Sequence, residues 1–301
     1  MSDLALLGLG YSGRAIAAAA HQAGLTILAT ARDVRLSLAP DYVDLRDFQA
    51  VEAPLAQVSA LVVTAAPGEA GDPVLARYRP VIAAAVQAGR LRWIGYCSTT
   101  GVYGDRGGAA VDEASDVAPG SARTLRRVAA ERDWAAFGAH CAVDIVRLAG
   151  IYGPGRSVFD DLRAGVARRV DKPGHVFSRI HVDDIAAGMM AARRTAGRAG
   201  VRVLNFADDE PAPSADVVAH AAALLGISPP PLVPFAQAAA IMSPMALSFW
   251  QENRRVLNAR TKAALGIAWR YPTYRDGLAA ILAAEAASCA RSQDLRGKPP
   301  L

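Results

Sequence analysis

A chain of 301 residues with 52% hydrophobic and 20% charged residues has the composition of an ordinary folded protein, which excludes disordered, collagen-like and disulfide-scaffold classes. Its length corresponds to about two average domains, or to one large α/β unit with an appended lobe. The net charge of +5 comes from arginines spread along the whole chain rather than gathered in a stripe, so no nucleic-acid partner is expected. Lysine is confined to Lys172, Lys262 and Lys298, and the cysteines Cys97, Cys141 and Cys289 form no Cys-x-x-Cys pair. With no basic, apolar leader and no membrane-length apolar run, a reducing, cytoplasmic setting is expected.

In chain order, short apolar runs alternate with alanine-rich helical patterns, the signature of βαβ units and a parallel sheet. Strands are expected at 4–7, 26–30, 61–65, 92–97 and 143–148, with helices at 13–23, 73–88 and 123–137 between them. After Pro154 the pattern predicts a helix at 157–169, an extended piece at 177–181, a helix from Asp183 and a strand at 203–206. The proline-dense 228–234 reads as a linker. The expected organisation is a doubly wound (Rossmann) α/β domain over 1–227, a small, mostly helical C-terminal substrate lobe over 228–287, and a tail at 288–301. The helix containing Pro244 and Phe249 reads as that lobe's core.

Gly8-Leu9-Gly10-Tyr11-Ser12-Gly13 follows the first strand and opens a helix, the context in which a G-x-G-x-x-G run binds a dinucleotide. The first glycine permits the turn, the second lets the backbone approach a pyrophosphate, and the third lets helix pack on strand. The amides of Tyr11, Ser12 and Gly13 would then face the phosphates. The second strand ends Leu28-Ala29-Thr30-Ala31-Arg32 with no acid at its tip. Arg32 can pair with a 2′-phosphate through its planar fork, which favours NADP over NAD. Asp33 next to it could serve a ribose instead.

Ser98-Thr99-Thr100-Gly101-Val102-Tyr103-Gly104 resembles the extended short-chain dehydrogenase/reductase family, the NAD(P)-dependent epimerase/dehydratase group. Further agreement lies in Arg147 followed by Gly150-Ile151-Tyr152-Gly153-Pro154-Gly155-Arg156, in Arg179-Ile180-His181-Val182-Asp183-Asp184, in Asn205-Phe206-Ala207-Asp208 and in Arg255-Val256-Leu257-Asn258. The resemblance spans roughly residues 4 to 285. It implies that Asp44 and Leu45, after the third strand, lie near the adenine, and that Ala65, Ala66 and Pro67 line the cofactor.

The family's chemistry uses a tyrosine acid/base with a lysine four residues later. Here Arg123 and Arg127 stand at those positions, with Glu131 four residues on, and no lysine precedes Lys172. Arginine stays protonated, so neither can move the proton, although both could hold an anionic substrate, the cofactor ribose or charge developing on an oxygen. They could equally form one charged helix face with Glu131. Thr99 keeps the family's hydroxyl position, and any proton transfer would fall to Tyr103, Tyr152, His181 or water. Tyr152, Arg156 and Arg179 are expected at the substrate; the glycine at position 150, where the family often shows asparagine, argues against a sugar nucleotide. No metal is expected at His181, Asp183 and Asp184. Two functions follow: an NADP(H)-dependent oxidoreductase or epimerase-like enzyme acting on a small or nucleotide-linked carbonyl or alcohol, or a non-catalytic NADP(H) sensor or partner-binding protein. A homodimer through the helix at 123–137 is a further expectation.

Overall fold

The computed structural model describes residues 2–31 and 39–296, with side chains to 288. Seven strands, β1 (Leu4–Leu7), β2 (Ile27–Ala31), β3 (Val43–Asp47), β4 (Ala60–Val63), β5 (Trp93–Thr99), β6 (Ala142–Leu148) and β7 (Gly200–Phe206), form one parallel sheet in the order 3-2-1-4-5-6-7. This is the doubly wound α/β fold expected, with helices on both faces and a helical C-terminal region. The sheet reverses direction of growth between β1 and β4, which pair Leu4 with Ala60 through Leu7 with Val63. Open α/β sheets bind ligands in the crevice at such a switch point.

The unbroken apolar run of β1 is what a strand covered on both faces requires. Its side chains alternate between two cores: Leu4 and Leu6 join Ile16 of α1 (Tyr11–Gln22) and Met189, whereas Ala5 and Leu7 join Tyr78 of α2 (Pro73–Gln87) and Trp134 of α3 (Ala122–Ala135). Met189 belongs to α4 (Val182–Arg194). Asp72 caps α2, accepting from the amides of Val74 at 2.9 Å and Leu75 at 3.0 Å, and its second oxygen takes the Trp134 indole at 3.0 Å. One buried carboxylate thus fixes two helices on the same face.

The later chain is woven through the earlier. Leu232–Pro234 pairs with Arg169–Asp171, and Arg255–Val256 pairs with Ala110–Val111. A third apolar cluster joins Phe159 and Val218 of α5 (Ser214–Leu224) to Tyr274 and Leu278 of the C-terminal helix. Some bounds differ from the sequence reading. The helix expected over 157–169 is Val158–Arg163, because Gly165 at φ +69° ends it in the left-handed conformation. The C-terminal helix, Tyr274–Arg296, runs on past 288, where a tail was expected to begin. Among the described residues no helix is long and apolar enough to cross a membrane.

Candidate active site

The glycine turn stands at the C-terminal end of β1, where β4 adjoins it. Gly8 has φ +120°, and a Cβ there would strike Thr64 Oγ1, which donates to the Gly8 carbonyl at 2.5 Å. A Cβ at Gly13 would strike that same carbonyl, so the third glycine is demanded by packing. Gly10 differs: nothing lies within 4 Å of where its Cβ would be. The open side of Gly10, with no acidic residue in the first turn of α1, leaves the Tyr11, Ser12 and Gly13 end of the helix suited to a pyrophosphate. These residues fit a dinucleotide.

Around this turn, Ala65 and Ala66 follow β4 with small side chains, the latter exposed, and Pro67 completes the segment. Asp44 and Leu45 lie within β3 rather than after it. Asp44 is exposed and takes Arg46 Nε at 2.6 Å, while Leu45 packs on the core. Arg32 and Asp33 lie outside the described residues. Tyr11 joins the turn to the loop after β6: its hydroxyl donates to the Pro154 carbonyl at 3.0 Å, and Arg156 lies over its ring at 5.5 Å. Burial pushes the Tyr11 phenol up to about 12.

At the tip of β5 a cavity of about 480 Å³ opens between the sheet and the C-terminal segment. Thr99 and Arg123 line it together with Tyr152, Arg179, Phe249 and Arg254. Thr99 Oγ1 accepts from the Gly101 amide at 3.1 Å, so its hydrogen remains available to donate. A second cavity of about 490 Å³ shares Tyr152, Arg179 and Ser214 and adds Arg156. Arg179 is anchored by bonds from Nη1 to the carbonyls of Phe177 at 2.8 Å and Ala212 at 3.1 Å. Burial, with Asp208 and Asp184 nearby, pushes the Tyr152 phenol well above its usual range, so it stays protonated.

Four expectations are corrected by this geometry. Tyr103 is fully buried, its hydroxyl donating to Asn205 Oδ1 at 2.7 Å, and it cannot reach a substrate. Arg127 does not line the cavity; its Nη1 donates to the Cys97 carbonyl at 2.8 Å and the Tyr96 hydroxyl at 3.1 Å, latching α3 to β5. The charged helix face also dissolves, since Glu131 points inward and pairs with Arg147 at 2.8 Å. Finally, the helix α6 (Pro244–Trp250), read as lobe core, has no buried residue; Phe249 is 48% exposed and walls the cavity.

A family model matches residues 6–206: the NAD dependent epimerase/dehydratase family. The chain belongs to this family. It is 42% identical to the solved structure of a functionally unknown conserved protein from Silicibacter pomeroyi DSS, with a TM-score of 0.86 over 95% of this chain and 99% of that one. The human epimerase family protein SDR39U1, solved with NADPH, shares 18% identity at a TM-score of 0.71, over 92% and 98% of the two chains, a likeness of fold alone. A 3-diazoavenalumate denitrifying reductase from a Streptomyces species is 33% identical over 168 residues. The chain spans about half the length of that curated relative, 53%.

Membership of this family implies NAD or NADP as the cofactor, which the glycine turn fits. His181 accepts the Asp183 amide at 3.2 Å and caps α4, while Asp184 accepts the amides of Arg270 at 2.7 Å and Tyr271 at 3.0 Å. Among the described residues no cluster of His, Cys, Asp and Glu could hold a metal. Two features of the site were not found from the sequence. Glu252 and Arg254 form a pair at 2.8 Å on the cavity wall, just ahead of the Arg255-Val256-Leu257-Asn258 motif that could have pointed to them. Asp208 is buried beside Arg179, and burial pushes its carboxyl up to about 8.

Proposed function

We propose that the chain is an NADP(H)-dependent oxidoreductase of an atypical, dyad-lacking branch of the family, moving hydride between the cofactor and a carbonyl or alcohol held in the Thr99 cavity. The observation that carries this reading is the placement of the Thr99 hydroxyl in a walled cavity two strands from the glycine turn. The relative from Streptomyces, a reductase by name, adds support.

Bound NADPH would supply hydride from its nicotinamide ring. The glycine turn would hold the pyrophosphate, and Arg32 the 2′-phosphate. Thr99 would donate its free hydrogen to the substrate oxygen, and the Arg123 guanidinium would stabilise negative charge gathering there. Neither residue supplies a proton at ordinary pH, so the oxygen would be protonated by water or by the Tyr152 phenol.

The second reading, a non-catalytic NADP(H) sensor or partner-binding protein, is favoured by one observation: Arg123 and Arg127 occupy the dyad positions while Tyr103 is out of reach. The two separate in an assay of NADPH and NADH oxidation with a panel of aldehydes, ketones and conjugated acceptors. The catalytic reading expects acceptor-dependent oxidation that is faster with NADPH, and a kcat lower by about a hundredfold in Thr99→Ala with cofactor affinity intact. Tight binding with no oxidation by any acceptor favours the sensor.

A further inference from the structure

We propose that the cavity takes a planar aromatic carboxylate, its anionic end held by Arg123 and its ring by Phe249 and Trp250. This rests on the hydride-transfer reading and names the substrate class of the same site.

The charged groups lining the cavity are Arg123, Arg179, Arg254 and Glu252. Arg254 is neutralised within the wall: its Nη1 bonds to Glu252 Oε2 and to the Gly104 carbonyl, each at 2.8 Å. Among the described residues, neither Arg123 nor Arg179 has a carboxylate at ion-pair distance. Arg179 has Asp208 beside it, so Arg123 is the lining cation without a neighbouring carboxylate among the described residues, and a substrate with an anionic group is matched to it. Arg179 spends Nη1 on two carbonyls, whereas Arg123 lies over the Phe249 ring, 4.5 Å from its centroid. A guanidinium held over a ring face still has N–H donors to offer a carboxylate.

Thr99, Thr100, Tyr152, Ser178 and Ser214 bring hydroxyls to the lining, whereas the wall beside Arg123 is built of rings. Trp250 packs on Phe177 at 4.9 Å, His175 at 5.3 Å and Phe235 at 5.4 Å, so its position is fixed by three neighbours. Phe249 is left half open beside it. A flat conjugated body would cover that face, with its charge beside Arg123. Among the described lining residues there is no Asn, Gln or Asp and the single Glu is already paired, so a sugar ring would find only hydroxyls and backbone groups as neutral partners there.

The test is calorimetric titration of the full chain, with and without NADP+, using trans-cinnamate, its neutral amide, phenyl phosphate and UDP-glucose. The acid is expected to bind at least about tenfold tighter than the amide. Arg123→Gln should erase that preference, Arg123→Lys retain part of it, and Phe249→Ala weaken acid and amide alike. Equal binding of acid and amide, no binding of cinnamate, or tighter binding of phenyl phosphate or UDP-glucose overturns the proposal. Acid preference without hydride transfer to any acceptor would uphold the substrate class and sink the catalytic reading; hydride transfer without acid preference would do the reverse.

Discussion

Arg147 on β6 grips Glu131 on α3 with two hydrogen bonds, Nε to Oε1 at 3.2 Å and Nη2 to Oε2 at 2.8 Å, both side chains being less than one-tenth exposed. Ser98, the residue before Thr99, donates to the same Oε1 at 2.5 Å. The guanidinium also lies 4.7 Å from the Tyr103 ring centroid, and Tyr103 reaches Asn205 on β7. This buried network holds the tip of β5 against α3, β6 and β7, and so sets where the Thr99 hydroxyl stands in the cavity.

Removing one partner of that pair strands the other charge in the core. Glu131→Gln should destabilise by about 3 kcal/mol. The double change Glu131→Leu with Arg147→Met, which removes both charges, should recover much of the loss. Urea unfolding of the three proteins measures this; a loss below about 1 kcal/mol for Glu131→Gln would show that the pair is not what fixes the strand tip.

The three glycines should fail in different ways. Gly13→Ala forces a Cβ onto the Gly8 carbonyl and should cost about 1–3 kcal/mol of stability. Gly10→Ala meets open space and should leave stability within about 0.5 kcal/mol while weakening cofactor binding at least about tenfold. Thermal melts paired with NADPH titration separate the two. A Gly10→Ala protein with full cofactor affinity would show that the turn is architectural.

The sheet was legible in the sequence because its strands are apolar on both faces, and a run such as Leu4-Ala5-Leu6-Leu7 has no other soluble use beside a glycine turn. The glycine spacing carried the same information about backbone geometry. What escaped were side-chain directions. Whether Glu131 turns out toward Arg127 or in toward Arg147 depends on where β6 lies, a contact sixteen residues away that no helical spacing encodes. Tyr103 was misplaced for the same reason, since its partner Asn205 is brought near only by the sheet order. The aromatic helix at Pro244–Trp250 was read as core because apolar residues are usually buried, whereas here they face a cavity.

Asp208 gives the fold a pH dependence of known sign. It is 1% exposed, and burial, opposed by the Arg179 charge and by the backbone amides of Glu210 and Arg179, raises its pKa from 3.8 to about 8. Between those values the folded state keeps a proton that the unfolded chain has lost. The stabilisation is therefore complete below about pH 4 and lost as the pH rises through about 8. Relative to the parent, Asp208→Asn should gain in Tm steadily across that window and level off above it. A difference in Tm that does not change with pH would contradict the assignment.

Arg32 is expected to set cofactor choice. Arg32→Ala should lower NADPH affinity about tenfold or more while leaving NADH affinity within about twofold, since only the 2′-phosphate loses its charged partner. Calorimetric titration with both nucleotides measures the ratio; an equal loss for NADPH and NADH would assign Arg32 to the fold.

The central claim is that hydride moves within the Thr99 cavity, and isotope transfer tests it most directly. NADPH carrying deuterium at the transferring position of the nicotinamide would be incubated with the protein and a panel of conjugated and carbonyl-bearing aromatic acids, and the products examined by mass spectrometry. The account predicts deuterium on the reduced carbon of at least one acceptor, abolished or strongly reduced in Thr99→Ala although NADPH still binds. Tight NADPH binding with no label in any acceptor, or label that persists undiminished in Thr99→Ala, would contradict it.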